Sequence, residues 1–323
     1  MNEFALIDRH FQRAPRDAAV RVGIGDDAAV IAPTPGMELV LSVDMLVEGS
    51  HFFASTDAVR LGHKALAVNL SDLAAMGAMP RFALLAGALP DADDAWLAAF
   101  MTGFRALAER FGVELVGGDT TRGPRNLCVT IVGEVPAGKA LTRAGARAGD
   151  DVYVSGTIGD AALALAVLQT RSTLDAGALA SLRERLERPE PRIALGLRLR
   201  DVASAAIDLS DGLTGDLGHI LERSNVGATI DLSALPGSQL LTSKLVGSER
   251  QLALACLLAG GDDYELCFCV PSAKRARIAA IATEADVPLT RIGEITMERG
   301  LVVRDERGAP LRDLPRAFDH FYR

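Results

Sequence analysis

The chain has 323 residues, enough for about two domains, and a formal net charge of −8. Its 49% apolar and 24% charged residues are typical of a globular protein and exclude a disordered one. The acidic balance disfavours nucleic acid or an anionic membrane as partner, because both need a cationic surface. Four cysteines are too few for a disulfide scaffold, and residues 1–20 lack the apolar stretch of a signal peptide. We therefore expect a cytoplasmic protein that binds neither nucleic acid nor membrane.

The first half of the chain contains predicted strands separated by two predicted helices. The strands are expected within 20–31, where two flank a Gly-Asp turn, and over 37–43, 113–116 and 127–135. Asp57 is a candidate N-cap for a helix over 58–76, which Gly77 would end. The second helix is expected over 93–111.

Strands and helices also mix in the second half. The expected strands cover 151–155, 203–209, 228–232, 264–270, 289–295 and 301–304. The expected helices cover 160–168, 213–223, 249–258 and 273–285, and the charged segment 171–190 also has a helical period. Cys267 and Cys269 lie in an apolar run and are expected to be buried thiols. The polar segment 138–150 lacks periodicity, so we predict a boundary between domains 1–138 and 139–323. The mixture in both halves predicts an α/β protein with mixed sheets.

Aspartates recur at predicted turns and strand ends. Asp44 and Asp119 each directly follow an apolar strand, and Asp208 ends another. Asp72 lies inside a predicted helix, where aspartate is unfavourable unless it has a partner. Any single one would be taken as a turn residue or a helix cap. The wider set also contains Asp26, Asp27, Asp211, Asp262 and Asp263.

The chemistry of such a set points to a hard cation. Several carboxylates facing one cleft would repel each other unless cations neutralised them. Mg²⁺ is typically held by a few carboxylates together with substrate phosphates. The spacing of Asp208 and Asp211 does not match an EF-hand, and no His/Cys cluster in the sequence indicates zinc. The residues alone therefore predict a Mg²⁺-dependent enzyme that handles phosphates.

Six sequence blocks resemble those of the thiamine-monophosphate kinases, in the same order along the chain. They are GIGDDA (23–28), SVD (42–44) with EGSHF (48–52), NLSDLAAMG (69–77), GGDTTRG (117–123), IDLSDGL (207–213) and GGDDYEL (260–266). The resemblance implies a two-domain fold like that of aminoimidazole-ribonucleotide synthetase. It implies a homodimer formed through the N-terminal domains, and a C-terminal α/β domain that completes the active site. It also implies the reaction ATP + thiamine monophosphate → ADP + thiamine diphosphate, the last step of thiamine diphosphate biosynthesis.

The resemblance implies roles for individual residues by motif. Several Mg²⁺ ions would be held by Asp27, Ser42, Asp44, Asp72, Asp119, Asp208 and Asp211. ATP would contact Gly118, Asp119, Arg143 and Ser210, and thiamine monophosphate would contact His51, Asp262 and Phe318. The chain departs from the family pattern at Val43, where threonine is common, and at Asp262, where glutamate is common.

The implied acceptor is a phosphate that is already anionic at neutral pH, so no general base is predicted. Arg143 suits phosphate oxygens, and an aromatic face at Phe318 suits the thiazolium cation, although Phe318 could instead be a core residue. Two alternatives remain open: another ATP-dependent enzyme of the same superfamily, and a non-catalytic nucleotide or metal sensor. Selenophosphate synthetase would need a reactive cysteine near the N-terminus, whereas the first cysteine is Cys128.

Overall fold

A computed structural model describes residues 3–13 and 15–318, and the chain divides into two compact units. The N-terminal unit comprises Met1–Leu73 and Ala78–Gly138, and the C-terminal unit comprises Ala74–Gly77 and Lys139–Arg323. In the part of the chain that the structure describes, no helix is both long enough and apolar enough to cross a membrane.

The N-terminal unit is built on a four-stranded sheet with helices packed against it. Its elements are α1 (Glu3–His10), β1 (Val20–Val22), β2 (Val30–Ile31), β3 (Met37–Val47), α2 (Ala58–Ala75), β4 (Met79–Leu89), α3 (Asp94–Phe111), β5 (Glu114–Arg122) and β6 (Asn126–Pro136). The sheet order is β3-β6-β4-β5, in which β4 and β5 are parallel and the other neighbours antiparallel. Strands β1 and β2 form a separate antiparallel pair.

Helices α2 and α3 meet in backbone contact at two glycines. A Cβ atom on Gly62 would lie 1.9 Å from the carbonyl oxygen of Phe100. A Cβ atom on Gly103 would lie 1.8 Å from the carbonyl oxygen of Val59. No side chain fits at either position, so the pair of glycines sets how closely the two helices pack.

The predicted helix ends are confirmed. Asp57 caps α2, because its Oδ1 accepts the N–H of Arg60 at 3.0 Å. Gly77 follows α2 with a left-handed φ of 64°, and Gly112 ends α3 with a φ of 67°.

Two predicted strand ends were wrong, and one strand was missed. Asp44 lies inside β3 and Asp119 inside β5, because each strand keeps its partner past the aspartate: Asp44 pairs with Val129, and Asp119 with Ala86. Strand β4 was not predicted, since its Ala/Leu-rich run lacks alternation and contains Pro80. The register shift between β4 and β6 accommodates this proline.

The C-terminal unit contains a six-stranded mixed sheet. Its elements are β7 (Asp150–Ser155), α4 (Asp160–Leu168), α5 (Ala176–Glu187), α6 (Ile193–Leu199), β8 (Ala205–Asp208), α7 (Leu213–Ser224), β9 (Gly227–Asp231), α8 (Gln239–Ser243), α9 (Arg250–Ala259), β10 (Leu266–Pro271), α10 (Ile278–Ala285), β11 (Leu289–Thr296) and β12 (Gly300–Arg304). The order is β12-β9-β11-β7-β10-β8, and within the described strands of this sheet only the β12–β9 pair is parallel.

The inner strands β7 and β10 lie in a buried core. Cys267 and Cys269 on β10 are fully buried, as predicted, and burial raises the pKa of both thiols. The helix predicted over 273–285 is shorter than expected, because a 3₁₀ segment, Ser272–Arg277, precedes α10.

Candidate active site

The contact between β3 and α2 brings together three of the predicted Mg²⁺ ligands. Ser42 and Asp44 are two residues apart on β3, and Asn69 and Asp72 are three apart on α2, so each pair shares a face. The Ser42 hydroxyl donates a hydrogen bond to Oδ2 of Asp72. The N–H of Asp44 donates to Oδ1 of Asn69 at 3.1 Å. Asp72 therefore has the partner that its mid-helix position requires.

Asn69 is a positioning residue that the sequence did not single out. Its side chain is fully buried, and its Nδ2 donates to the carbonyl oxygen of Ala65 at 3.0 Å while its Oδ1 holds β3. The side-chain amide thus ties the strand with Asp44 to the helix with Asp72. The signal in the sequence was a polar residue one turn before Asp72 on an apolar helix face.

His51 lies in the turn that follows β3. Its ring Nδ1 accepts the backbone N–H of Val47 at 3.0 Å. The backbone N–H of His51 donates to the Val47 carbonyl oxygen at 2.9 Å. In the neutral ring this acceptor role at Nδ1 puts the proton on Nε2. Gly49, with a φ of 85°, makes the turn possible.

Gly118 and Asp119 lie on β5 beside two cavities. Gly118 has no room for a side chain, since a Cβ atom would lie 1.9 Å from the carbonyl oxygen of Leu85. Asp119 and Thr120 line both cavities. Aromatic and aliphatic side chains form the remaining walls, so the Asp119 carboxylate borders a largely apolar space.

Asp27 is exposed in the connection between β1 and β2. Its N–H donates to Oδ1 of Asp26 at 2.9 Å. Within residues 3–13 and 15–318, no three His, Cys, Asp or Glu side chains are grouped so that they could hold a metal ion.

In the C-terminal unit, the predicted residues lie on one hydrogen-bonded set of loops. Asp208 is buried at the end of β8, and the chain then runs through Ser210 and Asp211 to α7. The Ser210 carbonyl oxygen accepts the N–H of Asp262 at 2.9 Å, and the Asp211 carbonyl oxygen accepts the N–H of Phe318 at 3.2 Å. The structure therefore brings Ser210, Asp211, Asp262 and Phe318 together through their backbones.

Asp216 lies under this loop, and the sequence did not indicate it. Its Oδ2 accepts the N–H groups of Asp211 and Gly212, each at 3.1 Å. Burial raises the pKa of Asp216 to about 7, although these two hydrogen bonds and the charge of Arg143 act in the opposite direction. Arg143 itself is exposed, and its carbonyl oxygen accepts the hydroxyl of Ser224 at 3.2 Å.

A buried charged group supports the other side of the loops. Glu265 is 1% exposed and accepts hydrogen bonds from Arg185 at 2.6 Å and from Arg192 at 2.5 and 2.6 Å. The hydroxyl of Ser155 donates to the same carboxylate at 2.6 Å. Two arginines neutralise this glutamate, so we assign it to holding the loop in place.

Two observations bear directly on the predicted substrate contacts. Phe318 is 55% exposed, which is not the environment of a core side chain. The hydroxyl of Tyr264 donates to Oδ1 of Asp262 at 3.2 Å, and both residues have left-handed backbones, with φ of 51° and 68°. The carboxylate of Asp262 is therefore oriented by a neighbour that the sequence did not point to.

The two units match two protein-family models. Residues 25–135 match the AIR synthase related protein, N-terminal domain, and residues 147–306 match the AIR synthase related protein, C-terminal domain. The fold therefore belongs to the AIR synthase-related class, as the sequence blocks implied.

Relatives and solved structures narrow this class. The thiamine-monophosphate kinase of Escherichia coli (strain K12) is 47% identical over 323 residues, which cover 99% of this chain and 98% of the relative. The crystal structure of thiamine-monophosphate kinase from Stenotrophomonas maltophilia K279a has 50% identity and a TM-score of 0.86, covering 93% of this chain and 96% of that one. The structure of AaThiL complexed with AMPPCP and TMP has 31% identity and a TM-score of 0.76, covering 90% and 89%. The chain belongs to the thiamine-monophosphate kinase family.

Proposed function

We propose that this chain transfers the terminal phosphoryl group of ATP to thiamine monophosphate, giving ADP and thiamine diphosphate. The observation that carries the proposal is the 47% identity to the Escherichia coli thiamine-monophosphate kinase over 99% of the chain. The 31% identical AaThiL was solved with AMPPCP and TMP, which supports the same pair of substrates here.

The donor set fits Mg²⁺. The face formed by β3 and α2 offers hard oxygen donors from Ser42, Asp44 and Asp72, without competing nitrogen or sulfur ligands among them. The residues that would hold the ions are Asp27, Ser42, Asp44, Asp72, Asp119, Asp208 and Asp211. Bound Mg²⁺ would neutralise the two polyanionic substrates so that they can approach.

The protein's own residues would then orient the substrates. The acceptor phosphate is already ionised at neutral pH, so the transfer depends on alignment and charge stabilisation rather than on a general base. Arg143 would donate to phosphate oxygens of ATP, and the other proposed ATP contacts are Gly118, Asp119 and Ser210.

Three residues would select the acceptor. The exposed ring of Phe318 offers a face for the cationic thiazolium, and Asp262 offers a negative charge held in place by Tyr264. His51 would donate from Nε2, since Nδ1 is engaged with Val47.

The decisive experiment is a coupled assay of ADP release. We expect release only when ATP, Mg²⁺ and thiamine monophosphate are all present, and little turnover when free thiamine replaces the phosphate ester. ADP release without an acceptor would favour a different ATP-dependent enzyme. Nucleotide binding without any ADP release would favour a sensor.

We also propose a homodimer formed through the N-terminal units. The outward face of β3 presents Leu39, Leu41, Val43 and Met45, which are between 48% and 63% exposed. Four large apolar side chains in a row on an edge strand are typical of a surface that a second chain covers. Substitution Leu41→Glu should halve the mass measured by light scattering, whereas Glu38→Gln on the same strand should not.

A cytoplasmic location is part of the same proposal. All four cysteines are free, and such thiols suit a reducing compartment.

A further inference from the structure

Backbone carbonyl groups of the loop between β8 and α7 accept hydrogen bonds from the segments that carry the proposed thiamine monophosphate contacts. Three consecutive carbonyl oxygens are used: that of Leu209 accepts the N–H of Tyr264 at 2.8 Å, and those of Ser210 and Asp211 accept from Asp262 and Phe318. We call residues 209–212 the hub loop. The side chains of Ser210 and Asp211 are the proposed contacts to ATP and Mg²⁺. The carbonyl groups of the same loop hold the segments with Asp262 and Phe318, the proposed contacts to thiamine monophosphate.

Glycines make these close approaches possible. A Cβ atom on Gly261 would lie 2.3 Å from the carbonyl oxygen of Ser210, and one on Gly215 would lie 2.5 Å from the Cβ atom of Ala317. The segments that carry Asp262 and Phe318 therefore lie in direct contact with the hub loop and with α7.

The buried side chain of Asp216 holds the hub loop through two hydrogen bonds to its backbone. It is 3% exposed, and one oxygen, Oδ2, accepts both the Asp211 and the Gly212 N–H at 3.1 Å. The Asp216 N–H donates back to the Gly212 carbonyl oxygen at 3.0 Å. The Asp211 N–H shares a planar peptide group with the Ser210 carbonyl, and the Gly212 N–H shares one with the Asp211 carbonyl. The bonds to Asp216 therefore set the orientation of both carbonyls.

We propose that Asp216 is a positioning residue that couples nucleotide binding to acceptor binding through the hub loop. The inference rests on the proposed function. When nucleotide orders the side chains of Ser210 and Asp211, the carbonyls of the same residues become fixed, and the segments of Asp262 and Phe318 are ordered with them. Thiamine monophosphate then binds to a site that the nucleotide has already ordered, so its binding costs less conformational entropy.

The first measurement is made on the unaltered protein by calorimetry. Thiamine monophosphate should bind more tightly, by roughly tenfold, in the presence of Mg²⁺ and AMPPCP than in their absence. Equal affinity in the two conditions would overturn the proposal. If the protein neither binds thiamine monophosphate nor turns it over, the proposed function itself fails, which is a different result.

The second measurement uses variants at position 216. Asp216→Ala removes both hydrogen bonds, so KM should rise roughly tenfold for ATP and for thiamine monophosphate alike, and the coupling between them should fall towards one. Asp216→Asn retains a carbonyl oxygen that accepts both N–H groups, and it should recover most of the loss. If Asp216→Ala does not fold, Asp216→Glu replaces it in the test, because the additional methylene displaces the carboxylate. The expected changes in both KM values and in the coupling are then those given for the alanine variant.

The matched control is Asp151→Ala, which removes a carboxylate that is 1% exposed and bonded to Arg275 and Arg291 on the same unit. It should lower the melting temperature without changing either KM or the coupling. A position-216 variant that lowers the melting temperature in the same way and leaves both KM values and the coupling unchanged would reduce Asp216 to a structural role.

Discussion

The two units present their candidate residues by different physical means. In the N-terminal unit, Asp44 and Asp72 project from a regular strand and a regular helix, and the register of those elements fixes where they lie. In the C-terminal unit, Asp211 and Asp262 lie on loops held by individual backbone hydrogen bonds and one buried carboxylate. Substitutions in the N-terminal unit should therefore remove a ligand, whereas those in the C-terminal unit should also disturb loop geometry.

The largest effect is expected at the carboxylates of the N-terminal unit. Asp44→Asn and Asp119→Asn each remove a negative oxygen from the proposed Mg²⁺ site, so turnover should fall at least about 100-fold while the fold is retained. Steady-state ADP release at several Mg²⁺ concentrations checks this, with Glu38→Gln on β3 as the control. Near-normal rates for both variants at limiting Mg²⁺ would remove the assignment.

A smaller and more selective effect is expected at Phe318, whose backbone N–H is bonded to the hub loop. Phe318→Ala should raise KM for thiamine monophosphate by the equivalent of roughly 1–3 kcal/mol, the range of a stacking or cation–π contact. KM for ATP and the melting temperature should change little, since the ring is exposed. Met297→Ala, at an 85% exposed position of the same unit, is the control. A large drop in melting temperature with an unchanged KM would identify Phe318 as a core residue instead.

A stability effect without a catalytic one is expected at Asp151. Burial acts to raise its pKa, but hydrogen bonds from Arg275 and Arg291 outweigh burial and lower it below the ordinary value of 3.8. A carboxyl with a depressed pKa in the folded state stabilises above the unfolded value and loses that contribution as pH falls through the folded one. Asp151→Asn should therefore reduce the free energy of unfolding by about 1–3 kcal/mol at neutral pH, and less in strong acid.

Urea unfolding at neutral pH and at about pH 2–3 measures this difference, and Glu298→Gln at an exposed position serves as the control. An equal loss of stability at both pH values would contradict the assigned role of the two arginines.

The smallest test contrasts the thiols of the two units. Cys128 in the N-terminal unit is partly exposed, whereas Cys256, Cys267 and Cys269 in the C-terminal unit are buried. Burial raises the pKa of Cys256 to about 11, and it raises those of the other two buried thiols as well. A thiol reagent should modify at most one cysteine in the native protein and four in denaturant. Rapid modification of two or more in the native protein would show that the C-terminal core opens.

The sequence predicted those features that depend on interactions between residues close together in the chain. The cap at Asp57, the glycine after α2 and the need of Asp72 for a partner all follow from neighbouring residues, and the structure agrees. The sequence blocks also indicated the loops at 208–212 and 260–264. The continuation of β3 past Asp44 could not be predicted, because it depends on pairing with β6, about 80 residues further along the chain.

Long-range hydrogen bonds account for the other omissions. The partners of Glu265 lie 73, 80 and 110 residues away, so nothing near it in the sequence indicated a buried ion pair. Asp216 is close in sequence to its partners, but its role depends on the loop turning back over the first turn of α7. Strand β4 contains Pro80, and the register shift that accommodates this proline depends on pairing with β6, which is a tertiary feature.

The glycine contact between α2 and α3 also affects how fast this part of the molecule can move. Where helix backbones touch without side chains between them, water reaches the amides only if the helices separate. Gly62 lies two turns before Asn69 on the same helix, so the helix that carries Asn69 and Asp72 is anchored at its far end. Its amides should be among the slowest in the N-terminal unit to exchange with deuterated solvent. Asp72 would thus hold its place over many catalytic cycles, and any opening needed to release product would occur elsewhere.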